Sequence, residues 1–227
     1  VARGDGADYS VFHVIKLETM EVVAEYQGKP TLDHYADILF DAGREYGSCL
    51  LVVENNGIGI SVLEKLINKE YPNLYYSIKG THEYIEQHKA EYASNSVPGF
   101  TNSSKTRPLI VAKMEEYIRN RLITVRSSRL FHEFKTFIWH NGRPQAMRSY
   151  HDDLVMSLSI ACWVRDTAIE VDQRDVAYKK AMMGSMFLNS TKMNTAIKGQ
   201  EGYDQSFADK YRDEIKQAKD FVWIYKG

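Results

Sequence analysis

Apolar and polar positions first alternate over two short stretches, then settle into a helix–strand rhythm. Residues 9–17 (YSVFHVIKL) and 20–26 (MEVVAEY) are rich in β-branched and aromatic side chains, with Glu18-Thr19 between them. That pattern predicts an antiparallel hairpin. Thr31 is placed to cap a helix whose apolar positions, Leu32, Tyr35, Ala36, Ile38, Leu39 and Ala42, recur at helical spacing up to about Gly47. The unbroken apolar run 49–53 (CLLVV) predicts a strand buried on both faces of a sheet. A helix over 60–68 and a strand over 73–78 follow. Residues 80–108 are polar and punctuated by Pro98, Gly99 and Pro108, a loop long enough to be functional or mobile. Beyond it the pattern predicts a helix over 109–120, a short strand over 122–125, and a helix capped by Ser127 or Ser128. An extended stretch over 137–140 and a strongly apolar helix over 152–167 complete the series. After Val171 the chain turns polar and Met-rich, with helices expected at 174–186 and 206–220. The element order predicts an α/β domain over 1–168, a mixed sheet with helices on both faces, and a helical, polar extension over 169–227.

Composition narrows this picture only slightly. The chain has 227 residues, 44% hydrophobic and 26% charged, enough for a substantial core. A net charge of −1 gives no global basic field. Cys49 and Cys162 lie in apolar runs and read as reduced core residues, without zinc spacing. No apolar run approaches a membrane span, and no membrane partner is expected. The opening at Val1 without Met reads as a piece of something longer.

The candidate chemistry lies in acids. Asp152 and Asp153 stand where the last core helix begins, next to His151. One Asp there is an ordinary cap. Two acids against an apolar helix need pairing or a metal, since a buried lone carboxylate costs several kcal/mol. Glu54 directly follows the 49–53 run, at the carboxyl end of a central strand, where open α/β sheets bind ligands. Asn55 beside it offers an amide. Acids converging from these two places would suit Mg²⁺ or Mn²⁺ better than zinc, with two ions about 4 Å apart able to act on a phosphodiester.

Leu51-Val52-Val53-Glu54-Asn55-Asn56-Gly57 and Tyr150-His151-Asp152-Asp153-Leu154-Val155-Met156 resemble the second and third acidic motifs of the nuclease domain of phage large terminase subunits, particularly those of contractile-tailed phages. Val1 to Tyr9 resembles the segment after the family's first motif, and Arg129 to Phe137 its helix before the last motif. The resemblance spans roughly residues 1–168. It implies a ribonuclease H-like fold that cuts concatemeric double-stranded DNA during genome packaging with a divalent metal, Mg²⁺ or Mn²⁺. By position, Glu54 matches the second-motif acid and Asp153 the third, with Asp152 adjacent and His151 and Asn55 around them. The family's first catalytic Asp stands immediately before the residue matching Val1. Asp8 and Asp5 are nearby acids but weak substitutes for it. An ATPase motor domain upstream in the same polypeptide, a portal protein and a small terminase subunit are the implied partners. The implied location is the host cytoplasm, on the procapsid and not in the mature virion. No phosphate-binding Gly-x-x-x-x-Gly-Lys-Ser/Thr occurs here, so the motor is not in this chain.

Ten basic residues between 105 and 148 face only Glu115, Glu116 and Glu133. Lys105, Arg107, Lys113, Arg129, Arg143 and Arg148 are the candidates for phosphate contacts. Two alternatives to a packaging endonuclease remain: a portal- or motor-docking module with latent nuclease activity, and another ribonuclease H-like nuclease such as a junction resolvase.

Overall fold

A computed structural model describes residues 1–167 apart from 5, 7, 81 and 82. The expected helices at 174–186 and 206–220, the extension that holds them, and Asp5 lie outside the described residues. The expected hairpin forms as β1 (Ser10–Lys16) and β2 (Glu21–Gly28), antiparallel, with the register slipping between Val14 and Ile15. Helix α1 (Leu32–Glu45) is capped by Thr31, whose side chain accepts from the His34 N–H at 3.4 Å. Then come α2 (Gly59–Asn68), β3 (Tyr76–Ile78), β4 (Tyr84–Ile85), α3 (Gln87–Ala90) and β5 (Ser96–Pro98). Helices α4 (Thr106–Arg119) and α5 (Ser128–Thr136) lead into the hairpin β6 (Phe137–His140) and β7 (Arg143–Ala146). The apolar helix occupies 153–167 and is labelled α6.

The layering follows from period-2 alternation. Leu51 and Val53 pack with Leu74, Tyr76 and Phe12 against Tyr35 and Leu39 of α1 and Val62, Leu63 and Leu66 of α2. Their neighbours Leu50 and Val52 pack with Tyr75, Val11 and Ile15 against Ile110 and Met114 of α4, Leu130 of α5 and Leu154 and Leu158 of α6. One extended layer therefore separates two apolar cores, with helices on both faces as the element order predicted. Among the described residues no helix is long and apolar enough to cross a membrane.

The 49–53 run is packed by helices on both faces, as expected. It bonds along one edge only, through Leu51 N–H to Asn73 O (2.9 Å), Tyr75 N–H to Leu51 O (3.0 Å) and Phe100 N–H to Val53 O (2.8 Å). Its other edge has no ladder partner among the described residues, so Leu50, Leu51 and Val52 stay half-buried. Two expectations needed correction. The 80–108 stretch is not one open loop, because β4 and β5 flank β3 in an antiparallel sheet of order β4-β3-β5. The strand expected at 122–125 shrinks to one parallel bridge between Thr124 and Glu21, because the cap of α5 begins at Ser127.

Helix α2 starts tightly against the end of the 49–54 segment. A Cβ on Gly59 would lie 1.9 Å from the Glu54 carbonyl oxygen, a backbone atom that cannot swing away. Gly59→Ala is therefore expected to destabilise the fold by about 1–3 kcal/mol through overpacking. Urea denaturation would show this as a lower midpoint with an unchanged slope.

Candidate metal centre and nucleic-acid interface

A cleft of about 810 Å³ opens between β1 and the free edge of the 49–54 segment, with Val1 on its wall. Glu54, Asp152 and Asp153, all singled out from the sequence, line it together, joined by Asn102 and Arg107. Residues far apart in the chain meet here because the 49–54 segment ends, and α6 begins, on the same side of the layer.

Each acid is held differently. Asp153 accepts the Tyr9 N–H at 3.0 Å. Burial raises its carboxyl above the ordinary range despite that bond, and the charges of Asp8 and Asp152 push the same way. Asp152 accepts from Arg107 Nη2 at 2.5 Å and from the Ala146 N–H at 3.1 Å, and Arg107 also donates to Pro144 O at 2.9 Å. Glu54 Oε1 accepts from the Asn56 side chain at 3.3 Å. Asn55, expected beside Glu54, is instead buried, with its amide donating to Pro98 O and Thr101 Oγ1, both at 3.0 Å. Asn56 reaches Glu54 because residues i and i+2 share a face of an extended chain.

Among the described residues, the tight ligand cluster is Asp8, His151 and Asp153, whose ligand atoms lie within 4.8 Å of one another. His151 Nδ1 stands 3.7 Å from Asp8 Oδ1 and 4.0 Å from Asp153 Oδ2. Its ring meets Tyr9 edge-on at 5.4 Å, and Lys29 sits over the other partner of that pair, 4.6 Å from the Tyr9 centroid. The turn carrying Asp8 and Tyr9 is thus fastened beside Asp153.

The basic candidates divide into two sets. Arg107 pairs with Asp152, Lys113 with Glu116 and Asp166, and Arg129 with Glu25. These three are engaged inside the protein. Lys105, Arg143 and Arg148 are exposed and form no ion pair among the described residues. Arg107 ties the start of α4 to β7, so Lys105 and Arg143 belong to adjoining segments. Trp139 and Tyr150 are 53% and 48% exposed.

One acid at the site was not marked as a candidate. Glu133 of α5 is buried, 6% exposed, and its Oε2 accepts the Val155 N–H at 3.0 Å. Burial pushes its carboxyl up to about 7; the charges of Asp153 and Asp152 add to this, and the backbone N–H groups of Val155 and Leu154 oppose it. The only sequence signal was a lone acid on the apolar face of a short helix.

No protein-family model matches the chain. Among solved structures, it is similar to the large terminase nuclease from thermophilic phage G20c with bound magnesium. That match has a TM-score of 0.53 at 20% identity and covers 68% of this chain and 74% of that one. The same nuclease with bound cobalt matches at a TM-score of 0.53 and 19% identity, with 68% and 74% covered. The chain shares that fold, a ribonuclease H-like α/β arrangement.

Glu133 sets a pH signature for the centre. An acid whose folded pKa lies near 7, against an ordinary 4.5, binds its proton more tightly in the native state. It therefore favours folding below about 4.5, and that contribution is lost as pH rises through about 7. The stability difference between the wild type and Glu133→Gln should vary across this window and level off above it, as thermal melts at a series of pH values would show.

Proposed function

We propose that this chain is the nuclease portion of a phage DNA-packaging machine, a metal-dependent endonuclease that hydrolyses double-stranded DNA. The observation carrying this reading is the convergence of Glu54 with Asp152 and Asp153 in one cleft, on a fold shared with large terminase nucleases. The G20c structures with bound magnesium and cobalt support a divalent ion as cofactor.

The donor set fits such an ion. Asp8 and Asp153, with His151, supply the close donor group, while Glu54 and Asp152 line the same cleft as Asp153, and carboxylate oxygens are the hard ligands such an ion takes. Asp153 is half-buried, and a cation beside it would offset the cost that burial puts on its charge. When bound, the ion supplies a more acidic water and a sink for charge on the leaving oxygen. Arg107, itself held by the Pro144 carbonyl, fixes the Asp152 carboxylate in the cleft wall. His151, 35% exposed, holds its Nδ1 within 4.0 Å of the carboxylates of both Asp153 and Asp8. The resemblance puts a further Asp just before Val1. Val1 itself lines the cleft that Glu54 and Asp153 share. The upstream motor, the portal protein and the small terminase subunit are proposed partners on the same grounds.

Glu54→Ala or Asp153→Ala should abolish Mg²⁺- or Mn²⁺-dependent cutting of plasmid DNA while leaving the circular dichroism spectrum unchanged. Cleavage surviving in either variant would sink the assignment. The exposed cations should carry DNA affinity, because each phosphate contact releases counter-ions. Replacing Lys105, Arg143 and Arg148 together with Ala should weaken binding for all sequences alike. It should also flatten the slope of log affinity against log salt by up to about 3.

A further inference from the structure

Helix α6 has an unusual beginning. The Asp152 carbonyl accepts the Met156 N–H at 2.9 Å, the first bond of the helix, so Asp152 occupies the cap position. A capping Asp normally turns its side chain inward to accept the N–H two or three residues on, here Leu154 or Val155. Asp152 does not do this. Its Oδ2 is bonded to Arg107 and to the Ala146 N–H. The Val155 N–H goes instead to Glu133 Oε2, at 3.0 Å from a neighbouring helix. Asp153 likewise turns away from the helix, towards the Tyr9 N–H.

We infer that Glu133 is a positioning residue that caps α6 from α5 and thereby leaves Asp152 and Asp153 facing the cleft. The inference rests on the metal-dependent reading above and extends it to a group outside the cleft lining. The first turn of a helix leaves donors that some oxygen must satisfy. If no outside acceptor were present, the nearest oxygens would be the Asp152 carboxylate, then that of Asp153. A carboxylate folded onto its own helix has its lone pairs taken and its direction fixed, and is a poor ligand for an ion in the cleft. Glu133 removes that competition. Its other oxygen, Oε1, is buried without a hydrogen-bond partner. Glu133 therefore directs its bonding to the first turn of α6 rather than to a wider side-chain network. Either protonation state of the carboxyl can accept through Oε2, so a neutral amide should serve as well.

The test compares Glu133→Ala and Glu133→Gln with the wild type in the full chain. Mn²⁺ affinity is measured by calorimetry, and amide exchange at Leu154 and Val155 by NMR. In Glu133→Ala, the Val155 amide should lose protection and Mn²⁺ affinity should fall about tenfold or more, as for other groups that orient metal ligands. Glu133→Gln should keep both near the wild-type values. Should the Ala variant fail to fold, Glu133→Asp keeps the charge but withdraws the oxygen by one methylene, and should show the Ala behaviour. Wild-type Mn²⁺ affinity in the Ala or Asp variant would overturn the inference. So would a Gln variant as impaired as the Ala one, because charge rather than capping would then be at work. A wild-type protein that binds no Mn²⁺ would instead refute the metal reading on which the inference stands.

Discussion

Like charges crowded in a partly dry space must each find a partner, and that requirement shapes the first turn of α6. Glu133, Asp152 and Asp153 converge there, with Asp8 close by. Glu133, Asp152 and Asp153 each take a hydrogen bond from a different donor. A helix N–H serves Glu133, a guanidinium and a strand N–H serve Asp152, and a turn N–H serves Asp153. Each of those donors comes from a different part of the chain. The approach of β7, α4, α5 and the Tyr9 turn to one point gives donors to three carboxylates that are wholly or partly withdrawn from solvent.

The apolar layering makes this convergence affordable in free energy. Leu154, Val155 and Leu158 are fully buried against α4 and α5, so the start of α6 cannot drift outward to seek solvent. A second polar contact fixes the opposite side. His13 on β1 bonds to Ser157 of α6 at 3.0 Å and to Glu25 of β2 at 3.3 Å. Burial alone would raise the Glu25 carboxyl. Hydrogen bonds from His13 and Ser127, with the charges of His13 and Arg129, outweigh it and hold the group near 2. The hairpin and α6 are joined by a polar side-chain contact as well as by apolar packing.

Features set by neighbouring residues were legible in the sequence. The β1–β2 hairpin, the Thr31 and Ser127 caps and the apolar stripe of α6 all follow from short-range patterns. Asp152 and Asp153 stood out because two adjacent acids before an apolar helix are locally anomalous. Glu54 stood out because it ends an apolar run. What could not be read depends on distant pairing. Strands of two or three residues such as β4 and β5 carry too few positions to show alternation. The exposed edge of 49–53 could not be foreseen from an apolar run that looks the same whether one edge or two are bonded. Glu133 was passed over because its value lies in facing the first turn of another helix. The choice between Asn55 and Asn56 was recoverable, since only Asn56 shares a face with Glu54.

The ion pair between Arg107 and Asp152 has a consequence for the protein before any cofactor arrives. Domains whose metal alone offsets clustered ligands tend to unfold when a chelator strips it. Here one carboxylate already has a permanent counter-ion, and Arg cannot give up its proton to escape. Asp152 therefore has its counter-charge from within the chain while the protein folds. Were a cation to bind as proposed, the same guanidinium would have to share or yield that carboxylate to it.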